Sequence, residues 1–240
     1  SCHPERSEGS LAYARTHIRV RFFTARCFVQ NDEMAMQKII VIVGPTSSGK
    51  TKLAVELARK FNGEIVSADS RQVYRGMNLG TGKDLSAYKS LALSRPTKLS
   101  FERPVRYHLI DIVGPRTNFT LAQYQKRAYR AIEDILRRGK LPILVGGTGL
   151  YVSAVVNGYV LPPAPPDRAL RKKLSILSMR ALRAKLKTLD PSTYHSIDKN
   201  NRRRLERAIE ICVSTGVPLS KQREKHPPLY DVLMLGLGPR

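Results

Sequence analysis

The sequence contains no tryptophan and only three cysteines in 240 residues. Cys2, Cys27 and Cys212 fall at no spacing that would ligate a metal or form a redox pair. This favours a reduced, cytoplasmic setting over a disulfide framework. Long apolar runs are also missing, and none approaches the ~20 residues that a membrane-spanning helix needs. Acidic residues are scarce: 19 Asp and Glu stand against 42 Lys and Arg, for a net charge of +23. Solubility asks for a magnitude of only about 2–8 on a small domain. The surplus points to a polyanionic partner, of which nucleic acid is the usual one. What remains is ordinary for a globular chain, 42% hydrophobic and 25% charged, and long enough for one large domain with a smaller appendage.

Residues 1–35 show no sustained helical or strand period and no signal-peptide apolar core, and Glu5 and Glu8 argue against a transit peptide. They are expected to be a disordered or non-native extension, with translation beginning at Met34 or Met36. Order begins at Ile39–Val43, a β-branched run of the kind buried on both faces of a parallel sheet. A helix is expected near 50–61 and a short strand at Glu64–Val66. Residues 84–106 read as a polar, irregular loop with some helix, and Tyr107–Ile112 as a strand. A helix over 120–138 carries Leu121, Tyr124, Ala128, Ile132 and Ile135 on one face, and a buried strand follows at Leu141–Val145. Beyond the proline-rich Leu161–Asp167, residues 167–207 hold 13 Lys and Arg against 4 Asp and Glu.

Gly44-Pro45-Thr46-Ser47-Ser48-Gly49-Lys50-Thr51 satisfies G-x-x-x-x-G-K-[ST] between a buried strand and a helix, the context the motif requires. Its glycines let backbone N–H groups turn inward on a phosphate, and the helix N-terminus adds partial positive charge. Lys50 supplies a point charge and Thr51 a hydroxyl suited to Mg²⁺. The expected fold is therefore α/β, a doubly wound parallel sheet of the P-loop nucleoside-triphosphatase kind with an inserted, mainly helical basic subdomain. Its parts are expected at 36–160 for the core, 161–215 for the helical insertion and 216–240 for a return to the sheet. The motif binds a diphosphate group whatever is attached to it, so a kinase, an ATPase and a diphosphate-releasing transferase all satisfy it.

Further motifs follow in order: Ser67-Ala68-Asp69-Ser70-Arg71-Gln72-Val73-Tyr74-Arg75-Gly76-Met77, Gly80-Thr81-Gly82-Lys83 and His108-Leu109-Ile110-Asp111-Ile112. Leu144-Val145-Gly146-Gly147-Thr148-Gly149-Leu150-Tyr151 and Arg204-Leu205-Glu206-Arg207-Ala208-Ile209-Glu210 complete the series. With the P-loop, the series from Met36 to Arg240 resembles the tRNA dimethylallyltransferases. The resemblance implies transfer of a dimethylallyl group from dimethylallyl diphosphate to N6 of the adenine next to the anticodon (position 37) of tRNA, with diphosphate leaving. It implies Mg²⁺ as cofactor and tRNA as partner; a monomer is expected because tRNA would have to embrace the protein from one side.

Asp69 follows a strand at the edge where α/β sites lie. Its residue type alone leaves a helix cap and a general base equally open; the resemblance assigns the base. The resemblance also implies that the P-loop residues, Thr46 and Lys50 among them, hold the diphosphate. It places Asp69, Ser70, Arg71 and Gln72 beside the adenine, and Thr148, Arg171, Arg203, Arg204 and Arg207 against tRNA. Arg203, Arg204 and Arg207 fall on neighbouring positions of one expected helix, where the alternative is a solvated face with Glu206 and Glu210 as partners. Asp111 ends an apolar run where P-loop ATPases carry a magnesium carboxylate. The sequence departs from the family's usual pattern at Gly82, Asp84 and Asn201, where Ala, Pro and Asp are usual, and family members continue past Arg240, so the chain is expected to be truncated there. Two alternatives share the P-loop: prenylation of a free adenine nucleotide, which needs no extended basic surface, and a small-molecule kinase.

Overall fold

The computed structural model describes residues 36–83, 85–88, 104–162, 164–222 and 227–238, together with the backbone path of 20–24. The chain divides into two units, residues 1–158 with 227–240 and residues 159–226.

The first unit is built on a sheet with the order β1 (Val20–Thr24), β6 (Asp231–Leu237), β2 (Lys38–Val43), β5 (Leu141–Gly146), β3 (Gly63–Ser67) and β4 (Tyr107–His108). β6, β2, β5, β3 and β4 are mutually parallel. β1 runs antiparallel to β6, with Val20 opposite Leu237. This strand lies in the segment read as unstructured. A backbone ladder needs no side-chain period, which is why the sequence pattern gave no sign of it.

Alternation along β2 explains the two layers. Ile40 and Ile42 face α1 (Lys50–Lys60), meeting Ala54, Val55 and Ala58. Ile39 and Val41 face the other way, into a core shared with Tyr124, Ala128, Ile132 and Ile135 of α2 (Leu121–Arg137) and with Val152 and Val155 of α3 (Gly149–Val156). Helices on both faces make the sheet doubly wound, as expected. Thr120 and Gln123 close a reciprocal capping box at the start of α2.

The strand expected over Tyr107–Ile112 stops at His108. Leu109 and Asp111 take left-handed backbone angles, φ 64° and 56°, which no ladder accommodates. Glu64, 1% exposed at the start of β3, receives Arg138, Lys140 and His108. Burial alone would raise its pKa, but the hydrogen bonds from those three side chains hold it well below the usual carboxylate range.

Gly146 ends β5 where the sheet allows no side chain. A Cβ there would sit 2.1 Å from the carbonyl oxygen of Ala68 and 2.3 Å from its carbon. We expect Gly146→Ala to destabilise the chain by about 1–3 kcal/mol, read by thermal unfolding. The same substitution displaces the residue before Asp69 and should depress any activity beyond what the stability loss explains. Wild-type activity in a folded Gly146→Ala protein would refute that second effect.

The second unit contains α4 (Arg168–Ser175), α5 (Met179–Leu189), α6 (Pro191–Ser196) and α7 (Arg202–Thr215) around Leu174, Leu182, Leu186, Leu205 and Ile209. Asp167, Ser178, Asp190 and Asn201 cap the four N-termini with their side chains. Asn201 stands where Asp is usual, and the two are equivalent as caps, so the helix start survives that departure. This unit runs to His226, past the expected boundary at 215. The reason is buried Asp190, which also accepts from the backbone N–H (2.8 Å) and hydroxyl (2.9 Å) of Ser220 and so holds the short 3₁₀ helix Leu219–Gln222.

Candidate active site

The P-loop leaves β2 and enters α1. Ser47 and Gly49 both take left-handed backbone angles, φ 62° and 84°. Gly44 packs so closely that an added Cβ would lie 2.6 Å from the Leu237 carbonyl oxygen. The Lys50 ammonium bends back over the loop onto the Pro45 carbonyl and approaches Ser48 Oγ at 3.4 Å. Burial lowers the pKa of Lys50, and the Asp69 carboxylate opposes that shift. The two expected site charges therefore already feel one another. Thr51, half-buried in the first turn of α1, stands beside Lys50.

Asp69 follows β3, and its side chain is 15% exposed. No helix follows it. Oδ1 instead accepts the backbone N–H of Arg71 at 2.9 Å, a local turn two residues long. Oδ2 has no hydrogen-bond partner among the described residues. The cap reading thus gives way to a turn that fixes the carboxylate.

Thr148 sits at the N-cap position of α3 without making a cap bond. Its hydroxyl oxygen accepts the Ser70 N–H at 2.9 Å and lies 3.2 Å from Ser70 Oγ. Thr148 therefore clamps the Asp69 loop to the turn after β5. Arg71 is exposed, with its guanidinium 3.8 Å from Asp69. Gln72 uses both ends of its amide within the protein, accepting from Ser67 Oγ (3.1 Å) and donating to the Gly82 carbonyl (3.2 Å). Below the loop, Tyr124 donates to the Ser67 carbonyl at 3.1 Å and stacks on Tyr151 at 3.8 Å. Gly82 has φ 65°, and a Cβ there would lie 3.8 Å from Thr46, in ordinary contact. Glycine suits that angle where the usual Ala would be strained.

In the helical unit the basic residues divide. Arg171 donates to both oxygens of Glu210, at 2.7 and 2.9 Å. Arg207 donates to Glu210 at 2.6 Å and to the Ala164 carbonyl at 2.9 Å. Glu210 itself is fully buried. Arg171 and Arg207, expected against tRNA, are thus the counter-ions of a buried carboxylate, though both keep partial exposure. Arg202 closes the end of α4 by donating to the carbonyls of Leu174, Ser175 and Leu177, and pairs with Glu206. Arg203 and Arg204 are exposed and line an open groove with Ile197, Asn201 and Arg207. Of the basic residues expected at tRNA, these two keep the freest charge.

Sequence reasoning passed over Ser67, Tyr124 and Gly146 as supports of the Asp69 loop. Gly146 stood in a quoted motif, and its position at a strand's carboxyl end was the available signal. Asp111, weighed as a magnesium carboxylate, instead holds Lys83 at 2.5 Å.

The chain is 48% identical over 206 residues to the tRNA dimethylallyltransferase of Roseiflexus sp. (strain RS-1), a match covering 84% of the chain and 63% of the relative. It is 45% identical to that of Thermomicrobium roseum, covering 83% and 58%. The chain thus spans less than two thirds of the length of these relatives. A solved structure of a eukaryotic dimethylallyltransferase acting on tRNA superposes with a TM-score of 0.68 at 30% identity, covering 85% of the chain and 49% of that protein. The family described as IPP transferase matches residues 72–240, and the chain belongs to that family.

Proposed function

We propose that this chain transfers a dimethylallyl group from dimethylallyl diphosphate to N6 of the adenine at position 37, next to the anticodon of tRNA. The observation that carries the reading is the clamped carboxylate. Asp69 is pinned through Arg71 N–H and through Ser70 to Thr148, within electrostatic reach of the P-loop lysine. One rigid edge thereby carries a base and a diphosphate cradle together.

The chemistry follows from that pairing. The N6 amine attacks the allylic carbon, a C–N bond forms, and the C–O bond to diphosphate breaks. The amine's proton passes to Asp69. Negative charge grows on the leaving diphosphate, so the loop N–H groups and Lys50 hold it more strongly in the transition state than in the ground state. The adenine must leave its stack before N6 can be reached. The exposed Arg203 and Arg204, with the net charge of +23, suit a polyanion far larger than a nucleotide.

Magnesium fits the donors present. Thr51 offers a hydroxyl beside the phosphate loop, and no group of three His, Cys, Asp or Glu is gathered for a metal among the described residues. Mg²⁺ commonly takes one or two protein oxygens and keeps phosphate oxygens and waters for the rest. When bound it would neutralise diphosphate charge. No helix among the described residues is long and apolar enough to cross a membrane. A cytoplasmic monomer embraced by tRNA from one side completes the reading.

The test incubates the protein with Mg²⁺, labelled dimethylallyl diphosphate and either an anticodon stem-loop or AMP. Label in the stem-loop is the expected result. Label in AMP alone would assign the chain to free-nucleotide prenylation instead, and label in neither would remove the transferase reading.

A further inference from the structure

Two sequence motifs find no place in the chemistry above: Gly80-Thr81-Gly82-Lys83 and His108-Leu109-Ile110-Asp111-Ile112. Their charged members meet each other. The Lys83 side chain is 1% exposed, and its ammonium lies 2.5 Å from Asp111 Oδ1. It also donates to the Tyr74 carbonyl at 2.8 Å and reaches Asn78 Oδ1 at 3.4 Å. A buried ammonium needs its donors filled, and all three go to the segments that flank the Asp69 loop.

Asp111 is anchored just as closely. Its N–H donates to the Gln72 carbonyl at 3.0 Å, and its own carbonyl accepts Arg75 Nε at 2.8 Å. The next amides add two more bonds, Ile112 N–H to the Val73 carbonyl at 2.9 Å and Arg75 N–H to the Val113 carbonyl at 2.8 Å. Leu109 and Asp111 hold left-handed angles throughout. Such angles in non-glycine residues persist only where surrounding bonds over-determine them, and they gather at functional sites. Gln72 then closes a ring through its amide to Gly82, whose Cα faces Thr46 of the P-loop.

We infer that Lys83 and Asp111 are positioning residues: their ion pair fixes the loop that carries Asp69 and sets its place relative to the diphosphate cradle. The inference rests on Asp69 being the base. Neither side chain is assigned any contact with substrate. The pair acts by locking residues 72–75 on one side and 78–83 on the other, so that the carboxylate and the phosphate loop keep one spacing. A displacement of about 1 Å in a reacting group can lower a rate by about 100-fold, which is the lever such a brace would hold.

The test uses Asp111→Asn, Lys83→Met and the double variant in the whole protein. Asp111→Asn is nearly isosteric at a half-buried position, so it tests the idea even where Lys83→Met folds poorly. Transfer to the stem-loop should fall about 10- to 100-fold in kcat, with KM for dimethylallyl diphosphate changed less than about 3-fold. The double variant should lose no more than the worse single, because the pair acts as a unit. Additive losses, or a KM that rises while kcat holds, would overturn the inference. A second readout needs no turnover: amide hydrogen exchange over residues 70–75 should quicken about 10-fold or more in Asp111→Asn. Unchanged exchange there would overturn it as well. Wild-type protein that transfers nothing would fail the transferase reading, while the exchange result would still decide the brace.

Discussion

Asp69→Asn is expected to reduce transfer to the anticodon stem-loop by about 100- to 10,000-fold, the usual contribution of a positioned base. The substitution is chosen for what it preserves. Asn keeps an oxygen to accept the Arg71 N–H, so the turn that fixes position 69 survives. It keeps the volume of the side chain and leaves the Ser70–Thr148 clamp untouched. It removes only the capacity to take a proton and the negative charge. Stability should therefore stay within about 0.5 kcal/mol of wild type, and KM for dimethylallyl diphosphate near pH 7 should move little. A rate within about tenfold of wild type would reduce Asp69 to a turn-forming residue.

The lost charge has a second consequence. Burial lowers the Lys50 pKa and Asp69 opposes it. Without the carboxylate, the Lys50 pKa falls further. Lys50 in the variant then loses its proton at a lower pH than in wild type as pH rises. KM for the diphosphate substrate should begin to climb earlier on the alkaline side. A KM profile that superposes on wild type would mean that the two residues are not coupled across the site.

The sequence carried the scaffold because its signals are local. Ile39–Val43, the P-loop and the 120–138 helix are each read from a handful of consecutive residues, and each appears within a residue or two. The misreadings come from bonds between distant segments. The run Tyr107–Ile112 is apolar enough for a strand, but bonds to Gln72, Val73 and Arg75 draw it off the ladder. The helical unit extends past 215 because Asp190 reaches Ser220. Val20–Thr24 forms a strand with a partner more than 200 residues away. The same holds for the site. The P-loop and Asp69 were legible as motifs, whereas the double engagement of Gln72 and the ion pair of Lys83 were not. Arg171 and Arg207 show the converse case. Their resemblance suggested RNA, while a single buried carboxylate accounts for most of their hydrogen bonds.

That carboxylate, Glu210, should matter more to stability than any other charged group in the helical unit. Burial opposes its ionisation, but hydrogen bonds from Arg171 and Arg207 and from the Asp167 N–H bring its pKa from 4.5 down to about 2. Each pH unit corresponds to about 1.4 kcal/mol, so the ionised form contributes about 3 kcal/mol. Breaking a buried pair independently suggests about 3–5 kcal/mol. The lower end applies, because Arg171 and Arg207 remain 47% and 38% exposed and regain some hydration. Glu210→Gln retains the shape and mimics the protonated acid, so it isolates the charge. Urea unfolding of the whole protein at pH 7 should show a loss of about 3 kcal/mol in the helical signal. The sign of the pH effect follows from a depressed folded pKa. The contribution is complete above the unfolded value of 4.5 and disappears as pH falls towards about 2. The gap between wild type and Glu210→Gln should therefore be constant above pH 5 and close over that window. A gap that persists at pH 2 would assign the loss to shape rather than charge. A gap below about 1 kcal/mol at pH 7 would free Arg171 and Arg207 from their structural role and restore the expectation that they face RNA.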